Sequence, residues 1–255
     1  ILDNKVVRRR VMLRSKLFYN RTHREGYIVL VSRNNLVRIF LCSLLNHREE
    51  RRRHFLTVNV AMCSVTPMDS HGYFNLSCST GVAKGILEQA DVVIVEVNER
   101  LPRILGGFDE SIHISEVDYI VEGKHPPLPE FPIQTPSKED IQVATHIIPF
   151  IHDGATLQLG VGSMPNIIGS MLALTDVKDL GMHTELCGDA YYELYKAGKL
   201  TNKRKTFQRG KGVTGIVFGS KKLYNWVNMN PGVIIEPLEF VKVSEPTLEM
   251  TFSVN

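Results

Sequence analysis

The sequence predicts an α/β protein with parallel strands, divided into two domains. The stretches 57–97 and 156–183 each alternate strand, helix and strand with short links, which is the pattern of right-handed parallel βαβ units. Between them, the twelve residues His125–Pro136 contain five prolines. Because proline lacks an N–H donor and restricts the residue before it, this stretch predicts an extended connector. We therefore expect a first domain at residues 1–130 and a second at residues 131–255.

Runs of apolar and β-branched residues predict the strands of the first domain. Tyr27–Val31 is typical of a strand, and Leu36–Leu45 of a strand or a short helix. Thr57–Val65 has the composition of a buried strand. Thr80 is the expected N-cap of the helix that follows, and Asp91–Val97 is a second buried strand.

Capping residues and glycines mark the helices of the second domain. Ser137 begins a helix with Asp140 three residues later, a capping-box-like start, and Gly154 ends it. The expected apolar stripe of this helix is Ile141, Ala144, Ile147, Ile148 and Ile151. Asp189 is the expected cap of a helix at 190–197 that Gly198 ends. The other predicted elements are strands at 212–218 and 233–236, a helix after Gly219-Ser220, and a last strand pattern at 252–255.

The stretch Ala155–Glu185 carries the strongest indication of a site. It predicts a strand at 156–159, a glycine turn Gly160-Val161-Gly162, and a helix with Ser163 as N-cap and Pro165 in its first turn. A second strand at 180–183 then brings Glu185 to its end. In a parallel sheet these strands end at one edge, where open α/β sheets bind ligands. Backbone N–H groups, a helix N-terminus and a carboxylate are therefore expected around one crevice.

Three interpretations of this crevice remain open from the pattern alone. Gly160, Gly162 and an acidic residue about 20 positions later resemble a dinucleotide fingerprint, but Pro165 occupies its third glycine position. In an acyl-transfer site, the turn would bind an oxyanion and Glu185 would be the nucleophile. In the third interpretation, the glycines only turn the chain. Cys187 is an alternative nucleophile, although a small buried residue is the favoured interpretation of it.

Three further features have functional and structural interpretations. Gly219-Ser220 is a second possible phosphate or oxyanion turn, because helix N-termini attract anions. Lys221 and Lys222 after it are more often solvated than bound to a ligand. His71 and His113 are isolated, and we expect both to be structural.

Composition excludes some classes of protein. The 255 residues are 43% hydrophobic and 22% charged, which is typical of a globular protein. Because no apolar run approaches the ~20 residues of a membrane span, we expect none. The four cysteines have no CxxC spacing, which favours reduced thiols in the cytoplasm or mitochondrial matrix and no metal site. Because the chain begins with Ile1 and not with Met, we expect an upstream segment, in which a targeting signal would not be visible here.

The basic residues concentrate at one end of the chain. Residues 1–53 contain 14 Lys/Arg and 4 Asp/Glu, and the rest contains 16 and 23, so the overall charge of +3 hides an asymmetry. Such a segment can bind nucleic acid, a membrane surface or a phosphate-bearing ligand, and its composition is similar to that of a transit peptide. A solvated face is the default interpretation. Because the segment has no recognised module or interleaved aromatics, we expect no nucleic-acid binding.

Several long strings resemble the acetyl-CoA hydrolase/transferase family, and within it the 4-hydroxybutyrate and butyrate:acetate CoA-transferases. The strings are LQLGVGSMPN (157–166), GMHTE (181–185), DAYYELYKAGKLTN (189–202), FGSKKLYNW (218–226), VTPMDSHGYFNL (65–76), ADVVIVEVNERLPR (90–103) and IHISEVDYIVE (112–122). The resemblance implies two doubly wound α/β domains of the CoA-transferase type, both incomplete relative to the family. It also implies that residues 1–53 are a divergent part of the first domain.

The resemblance implies roles for particular residues. Glu185 corresponds to the glutamate that carries the acyl group, and Gly160 and Gly162 to the loop beside the thioester carbonyl. The residues expected to contact coenzyme A are Gln158, Val161, Ser163, Met164, Pro165, Gly219, Ser220 and Lys221. Asn98 matches a position that faces the cleft.

The implied activity is CoA transfer between a short-chain acyl-CoA and a carboxylic acid, with no permanently bound cofactor. We expect a homo-oligomer, a dimer. Two other hypotheses are an acyl-CoA hydrolase with the same residues, and a non-catalytic subunit derived from the family.

Overall fold

The computed structural model of the protein describes residues 27–31, 58–81, 83–131, 135–243 and 252–254. It is α/β with parallel sheets, as expected from the sequence. The elements before the connector are β1 (Tyr27–Val31), β2 (Val58–Val65), β3 (Tyr73–Asn75), α1 (Ala83–Leu87), β4 (Ala90–Val97), β5 (Ser111–His113), a 3₁₀ turn (Ile114–Glu116) and β6 (Tyr119–Glu122).

Four of these strands form a parallel sheet in the order β1-β2-β4-β6. Strand β2 pairs with β4 from Val58 opposite Ala90 to Val65 opposite Val97, which confirms the predicted parallel unit. Strands β3 and β5 form a separate antiparallel pair. The predicted strand at 27–31 is confirmed. The element expected at 36–45 and most of the basic segment lie outside the described residues.

The elements after the connector build the second sheet and its helices. They are α2 (Lys138–Ile147), a 3₁₀ turn (Ile148–Phe150), β7 (Thr156–Leu159), α3 (Ser163–Ala173), β8 (Gly181–Cys187), α4 (Asp189–Lys196), β9 (Gly212–Val217), α5 (Lys221–Val227), β10 (Val233–Ile235), α6 (Leu238–Val243) and β11 (Phe252–Val254). All five strands are parallel, in the order β10-β9-β8-β7-β11. The order reverses at β7, so the carboxyl end of β7 lies at a topological switch point, where such sheets bind ligands.

The core of the second sheet lies under helices α3 and α4. The fully buried side chains between the sheet and these helices include Leu157 and Leu159 of β7, Ile168 and Leu172 of α3, and Tyr191 of α4. On α6, Leu238 packs beside Gly215, and the ring of His183 lies 3.1 Å from the carbonyl oxygen of Val241.

Helix α2 begins as expected but ends earlier. The backbone N–H of Asp140 donates to Ser137 Oγ and that of Ser137 to Asp140 Oδ2, both at 3.0 Å, which confirms the capping box. The helix changes to a 3₁₀ turn at Ile148, because Pro149 has no N–H for the next helical hydrogen bond. Gly154 therefore does not end it. The predicted stripe is also partly wrong, since Ala144 is buried but Ile141 is 42% exposed.

Two predicted N-caps are wrong by one residue. Gly162 is the N-cap of α3 and Ser163 is its first helical residue, because Gly162 adopts φ 130° and ψ −175°, which only glycine readily adopts. Gly188 is the N-cap of α4, and the carboxylate of Asp189 instead accepts hydrogen bonds from Ser220. Strand β8 is also longer than predicted, so Glu185 lies within it and not beyond its end.

Segments before the connector complete the second sheet. The N–H of Val217 donates to Cys78 O at 2.9 Å, and that of Ile235 to Leu105 O at 2.8 Å. Ile104 is fully buried in the core of the second sheet. In the described part of the connector, residues 125–131 and 135–136 form no strand and are half-buried or exposed. The boundary at 130/131 stays a prediction.

No helix in the described part of the chain has the length and apolar character that crossing a membrane requires.

Candidate active site

Three turns meet at the carboxyl edge of the second sheet. Gly160 follows β7, Gly188 follows β8, and Phe218 follows β9. A Cβ atom added to Gly188 would lie 3.2 Å from Val161 Cγ1, 3.6 Å from Gly160 O and 3.9 Å from Phe218 O. The turn after β7 therefore packs directly on the turn after β8, and the absence of a side chain at Gly188 permits this contact.

The glycine turn presents unused donors. No residue in the described ranges accepts a hydrogen bond from the backbone N–H of Gly160, Val161 or Gly162. Residues 160–164 are partly exposed, and the N-terminus of α3 begins immediately after them. N–H groups at a helix N-terminus attract negative charge. The turn therefore has the character of an anion or oxyanion site.

Glu185 lies in β8, next to β7. It is partly exposed, whereas the three residues before it are buried. Because side chains alternate along a strand, Glu185 is on the same sheet face as His183, which contacts α6. The structure thus places a partly accessible carboxylate and the glycine turn on neighbouring strands. The catalytic roles of Glu185, Gly160 and Gly162 stay predictions.

Strands β7 and β8 pair only at their beginnings, Thr156 with Gly181 and Leu157 with Met182. Beyond this point the hydroxyl of Tyr191 lies against β7, accepting from Leu159 N at 2.8 Å and donating to Leu157 O at 2.9 Å. We call this separation of the two strands the fork. It lies directly before the glycine turn.

The second predicted anion turn has its donors occupied. The N–H of Gly219 donates to the Tyr224 hydroxyl at 3.3 Å, and that of Ser220 to the Asp189 carboxylate at 2.9 Å. The N–H of Lys221 donates to the Glu130 carboxylate at 3.0 Å. Two carboxylates therefore occupy the place where an anion would bind, which counts against a phosphate-binding role for residues 219–221.

The buried thiol of Cys187 is a poor nucleophile. Its side chain is fully buried, and burial raises its pKa well above the ordinary thiol value. Nearby Asp189 raises the pKa further. Because the thiolate is the reactive form, this environment favours Glu185 over Cys187 as the reacting group.

Two other polar residues singled out in the sequence, His113 and Asn98, form hydrogen bonds with nearby segments. His113 caps the 3₁₀ turn that follows it, accepting from Ser115 N at 3.2 Å. Asn98, for which the resemblance implies a position facing the cleft, donates from Nδ2 to Pro126 O of the connector at 2.9 Å, and its role at the cleft stays a prediction. Within the described ranges, no group of three or more His, Cys, Asp or Glu side chains is arranged to hold a metal ion.

Sequence reasoning missed two buried polar residues. Tyr191 was expected only as part of the helix at 190–197, and nothing in the sequence marks its hydroxyl as a partner of β7. Glu236 was expected at the end of a strand, yet its carboxyl group is fully buried. The sequence does show a glutamate directly after the apolar run at 233–235, but this pattern is also found where a strand ends at the surface, so it does not by itself indicate a buried carboxyl group.

Comparison with known proteins identifies the relatives of this chain. Residues 45–132 match the acetyl-CoA hydrolase/transferase N-terminal domain. The chain is 47% identical over 190 residues to the butyryl-CoA:acetate CoA-transferase of Anaerostipes caccae, covering 74% of this chain and 43% of the relative.

Two solved structures are similar in fold. RipA from Yersinia pestis has a TM-score of 0.73 at 36% identity, covering 78% of this chain and 46% of RipA. The 4-hydroxybutyrate CoA-transferase from Porphyromonas gingivalis has a TM-score of 0.68 at 34% identity, covering 76% and 48%. The chain thus spans less than half the length of these relatives. It belongs to the acetyl-CoA hydrolase/transferase family.

Proposed function

We propose that the protein is a CoA-transferase that moves CoA between a short-chain acyl-CoA and a carboxylate such as acetate. The observation that carries the proposal is the position of Glu185 on the strand beside the Gly160–Gly162 turn, whose N–H groups have no acceptor within the described residues. The similarity to a butyryl-CoA:acetate CoA-transferase supports this reaction class.

The first half-reaction transfers CoA to the protein. The Glu185 carboxylate attacks the thioester carbonyl, the C–S bond breaks, and a mixed anhydride and CoA thiolate form. The thiolate then attacks the glutamyl carbonyl, which releases the first acid and leaves a glutamyl-CoA thioester. The second half-reaction reverses these two steps: an incoming carboxylate attacks the glutamyl-CoA thioester, and the released CoA thiolate then attacks the acyl carbonyl of the new anhydride. This forms the new acyl-CoA and frees Glu185, so the kinetics are ping-pong.

The glycine turn stabilises the charge that develops on the carbonyl oxygen. Removing one oxyanion donor typically costs roughly 2.7–4 kcal/mol in the transition state. Around the turn, Gln158, Val161, Ser163, Met164 and Pro165 are proposed to contact the acyl-CoA. The weaker candidates are Gly219, Ser220 and Lys221, because their backbone N–H groups already donate hydrogen bonds to other groups of the protein.

The proposal includes three further expectations, which concern the way CoA binds, the oligomeric state and the location of the protein. We propose that CoA binds as a substrate and not as a resident cofactor, and that the protein is a homodimer. The scattered cysteines favour an intracellular location, and Cys63, Cys78 and Cys187 are free in the structure. Size-exclusion chromatography with light scattering tests the dimer.

A hydrolase is the second candidate, and the description of the matched family supports it. Water would then replace the incoming acid in attacking the glutamyl thioester or the anhydride. Product analysis with and without acetate separates the two activities. Acyl-CoA consumption that continues unchanged without acetate, with free CoA as product, would identify a hydrolase.

The nucleophile is tested by trapping. Borohydride reduces a glutamyl-CoA thioester, so incubation with butyryl-CoA and borohydride is expected to inactivate the enzyme and modify the peptide that contains Glu185. Glu185→Gln is expected to keep the fold and lose nearly all transfer, because an amide has no nucleophilic oxygen anion. Cys187→Ala is the matched control and is expected to stay active. A wild-type protein without transfer, hydrolysis or an adduct would indicate a non-catalytic subunit.

A further inference from the structure

The fork is a gap in the β7–β8 ladder that two hydroxyl groups fill. Leu157 is the last residue of β7 that pairs with β8, and in a regular parallel pair the Leu159 N–H would also bond to the backbone of β8. Here the Leu159 N–H donates instead to the Tyr191 hydroxyl at 2.8 Å, and this hydroxyl donates to Leu157 O at 2.9 Å. The hydroxyl of Thr184, on β8 itself, lies 3.2 Å from Leu159 O and 3.1 Å from Leu186 O, and its one proton can be donated to either carbonyl oxygen.

Both hydroxyls are inaccessible to water. Tyr191 and Thr184 are each 0% exposed. Burial raises the pKa of Tyr191 far above its ordinary value, so the phenol keeps its proton and donates it to Leu157 O. Removing a partner from a buried backbone group leaves that group unsatisfied, which costs about 1–3 kcal/mol. Without the two hydroxyls, hydrogen bonds between β7 and β8 would be the simplest way to satisfy the buried backbone groups of Leu159.

The tyrosine is held in place by the position of helix α4. Gly169 of α3 lies against Ala190, where an added Cβ would approach the Ala190 Cβ to 2.6 Å. The Asp189 carboxylate accepts from Ser220 at the start of α5. These contacts hold the two residues that precede Tyr191 in α4, so the fork is built into the packing of three helices.

The geometry points to Tyr191 as a positioning residue for acyl transfer, which with Thr184 keeps β7 separated from β8 directly before the glycine turn. Leu159 is the last residue of β7, and Gly160 follows it. The hydroxyl therefore fixes the backbone from which the N–H groups of Gly160 and Val161 project. This inference rests on the proposed CoA-transferase function.

The test compares Tyr191→Phe with Tyr192→Phe in the native protein, measuring kcat, KM for butyryl-CoA and thermal stability. Tyr192 is a matched control, since it is on the same helix and its hydroxyl forms no hydrogen bond with the described residues. For Tyr191→Phe we expect kcat to fall by about tenfold to a hundredfold, the equivalent of one or two lost hydrogen bonds, with KM nearly unchanged. A purely structural role would lower the stability and leave kcat per folded molecule intact, which would overturn the inference.

Thr184 provides an independent arm in case Tyr191→Phe does not fold. Thr184→Ser keeps the hydroxyl, and Thr184→Val keeps the shape without it. We expect Ser to retain kcat and Val to lose it; equal kcat in the two variants would overturn the role of the hydroxyls. The proposed function fails separately, by absence of a borohydride-trapped adduct in the wild type. An adduct in the wild type together with wild-type kcat in Tyr191→Phe would refute only the positioning role.

Discussion

Gly162 is the residue whose backbone conformation decides the shape of the candidate site. Its φ of 130° lies in a region that side chains rarely adopt, and it connects the unused N–H groups of the turn to helix α3. Gly198 also has a positive φ, 70°, but it follows helix α4 away from the turn, with nothing within 4 Å of an added Cβ. Substituting each glycine therefore distinguishes two effects: both changes strain the backbone, but only the change at Gly162 also alters the candidate site.

We expect Gly162→Ala to lower the free energy of unfolding by about 1–3 kcal/mol and to remove most CoA transfer, because the strained turn would rearrange. Gly198→Ala is expected to lower stability by about 1–2 kcal/mol and leave kcat unchanged. Urea denaturation and steady-state kinetics on both variants measure the two effects. Full activity in Gly162→Ala would show that the turn does not bind the transition state.

Glu236 is the residue whose ionisation should make stability depend on pH. Its carboxyl group is fully buried, and neither oxygen has a hydrogen-bond partner within the described residues. Desolvation raises its pKa to about 7, and the negative charges of Glu110 and Asp109 add to this, whereas the N–H groups of Gly107 and Phe108 beside it act in the opposite direction. The folded state therefore favours the protonated carboxyl group.

The sign of the pH effect follows. Below pH 4.5 the carboxyl group is protonated in both states, and its contribution to stability is fully present. As pH rises towards 7, only the unfolded chain ionises freely, so the free energy of unfolding should fall, by up to about 3 kcal/mol. Glu236→Gln is expected to remove this slope, and Glu122→Gln, an exposed glutamate on β6, to preserve it. Urea denaturation between pH 4.5 and 8 measures the slope; an unchanged slope in Glu236→Gln would contradict this account.

At the scale of elements, helix α3 carries the glycine turn into the packed layer of helices. Gly169 allows α3 to approach α4 closely, because an added Cβ would lie 2.6 Å from Ala190 Cβ and 3.0 Å from its Cα. Ser170 is exposed on the same helix. Position 169 therefore determines the spacing of the two helices that support the turn and the fork.

We expect Gly169→Ala to destabilise the protein, even though alanine has a helix propensity about 1 kcal/mol better than glycine. Overpacking typically costs about 1–3 kcal/mol, and the displaced helix would also lower kcat. Ser170→Ala is the control and is expected to be neutral or slightly stabilising. Thermal denaturation of the two variants provides the comparison, and a stabilised Gly169→Ala would show that the helices can move apart without cost.

At the scale of the whole molecule, the two sheets depend on each other. Ile104 and Cys78 come from before the connector but are buried in the core of the second sheet. The segment that contains Ile104 also pairs with β10, through an isolated bridge between Gly106 and Ile235. A fragment that begins at the connector would lack these contacts.

We therefore expect the two sheets to unfold in one cooperative transition. Ile104→Ala is expected to lower the free energy of unfolding by about 2–5 kcal/mol, as in other buried cores, and to shift the whole transition. Ile120→Ala, at a position 38% exposed on β6, should have a much smaller effect. Circular dichroism follows the unfolding of both sheets, and the fluorescence of Trp226 follows the part after the connector, so one cooperative transition should give the same midpoint by both methods. Two separate transitions would support independent domains on either side of the connector.

Much of the fold was predictable because its signals are local. The capping box of Ser137 and Asp140, the paired strands at 58–65 and 90–97 and the glycine turn each depend on residues close in sequence. The predicted cap at Ser163 failed by one residue, because the conformation of Gly162 overrides the preference of serine for the cap position. The stripe at Ile141 failed because periodicity shows that a helix face is apolar but not whether another element covers it.

By itself, the sequence determined the α/β class with parallel strands, the position of the glycine turn, the candidate carboxylate Glu185 and the resemblance to the family. These depend on residue type and short-range spacing. Only the tertiary structure decided that the Tyr191 hydroxyl, and not β8, accepts from Leu159 N–H, that Asp189 and Glu130 occupy the turn at 219–221, and that Glu236 is buried. The physical reason is that each of these depends on groups brought together from distant parts of the chain, and hydrogen bonding and burial are properties of that assembly.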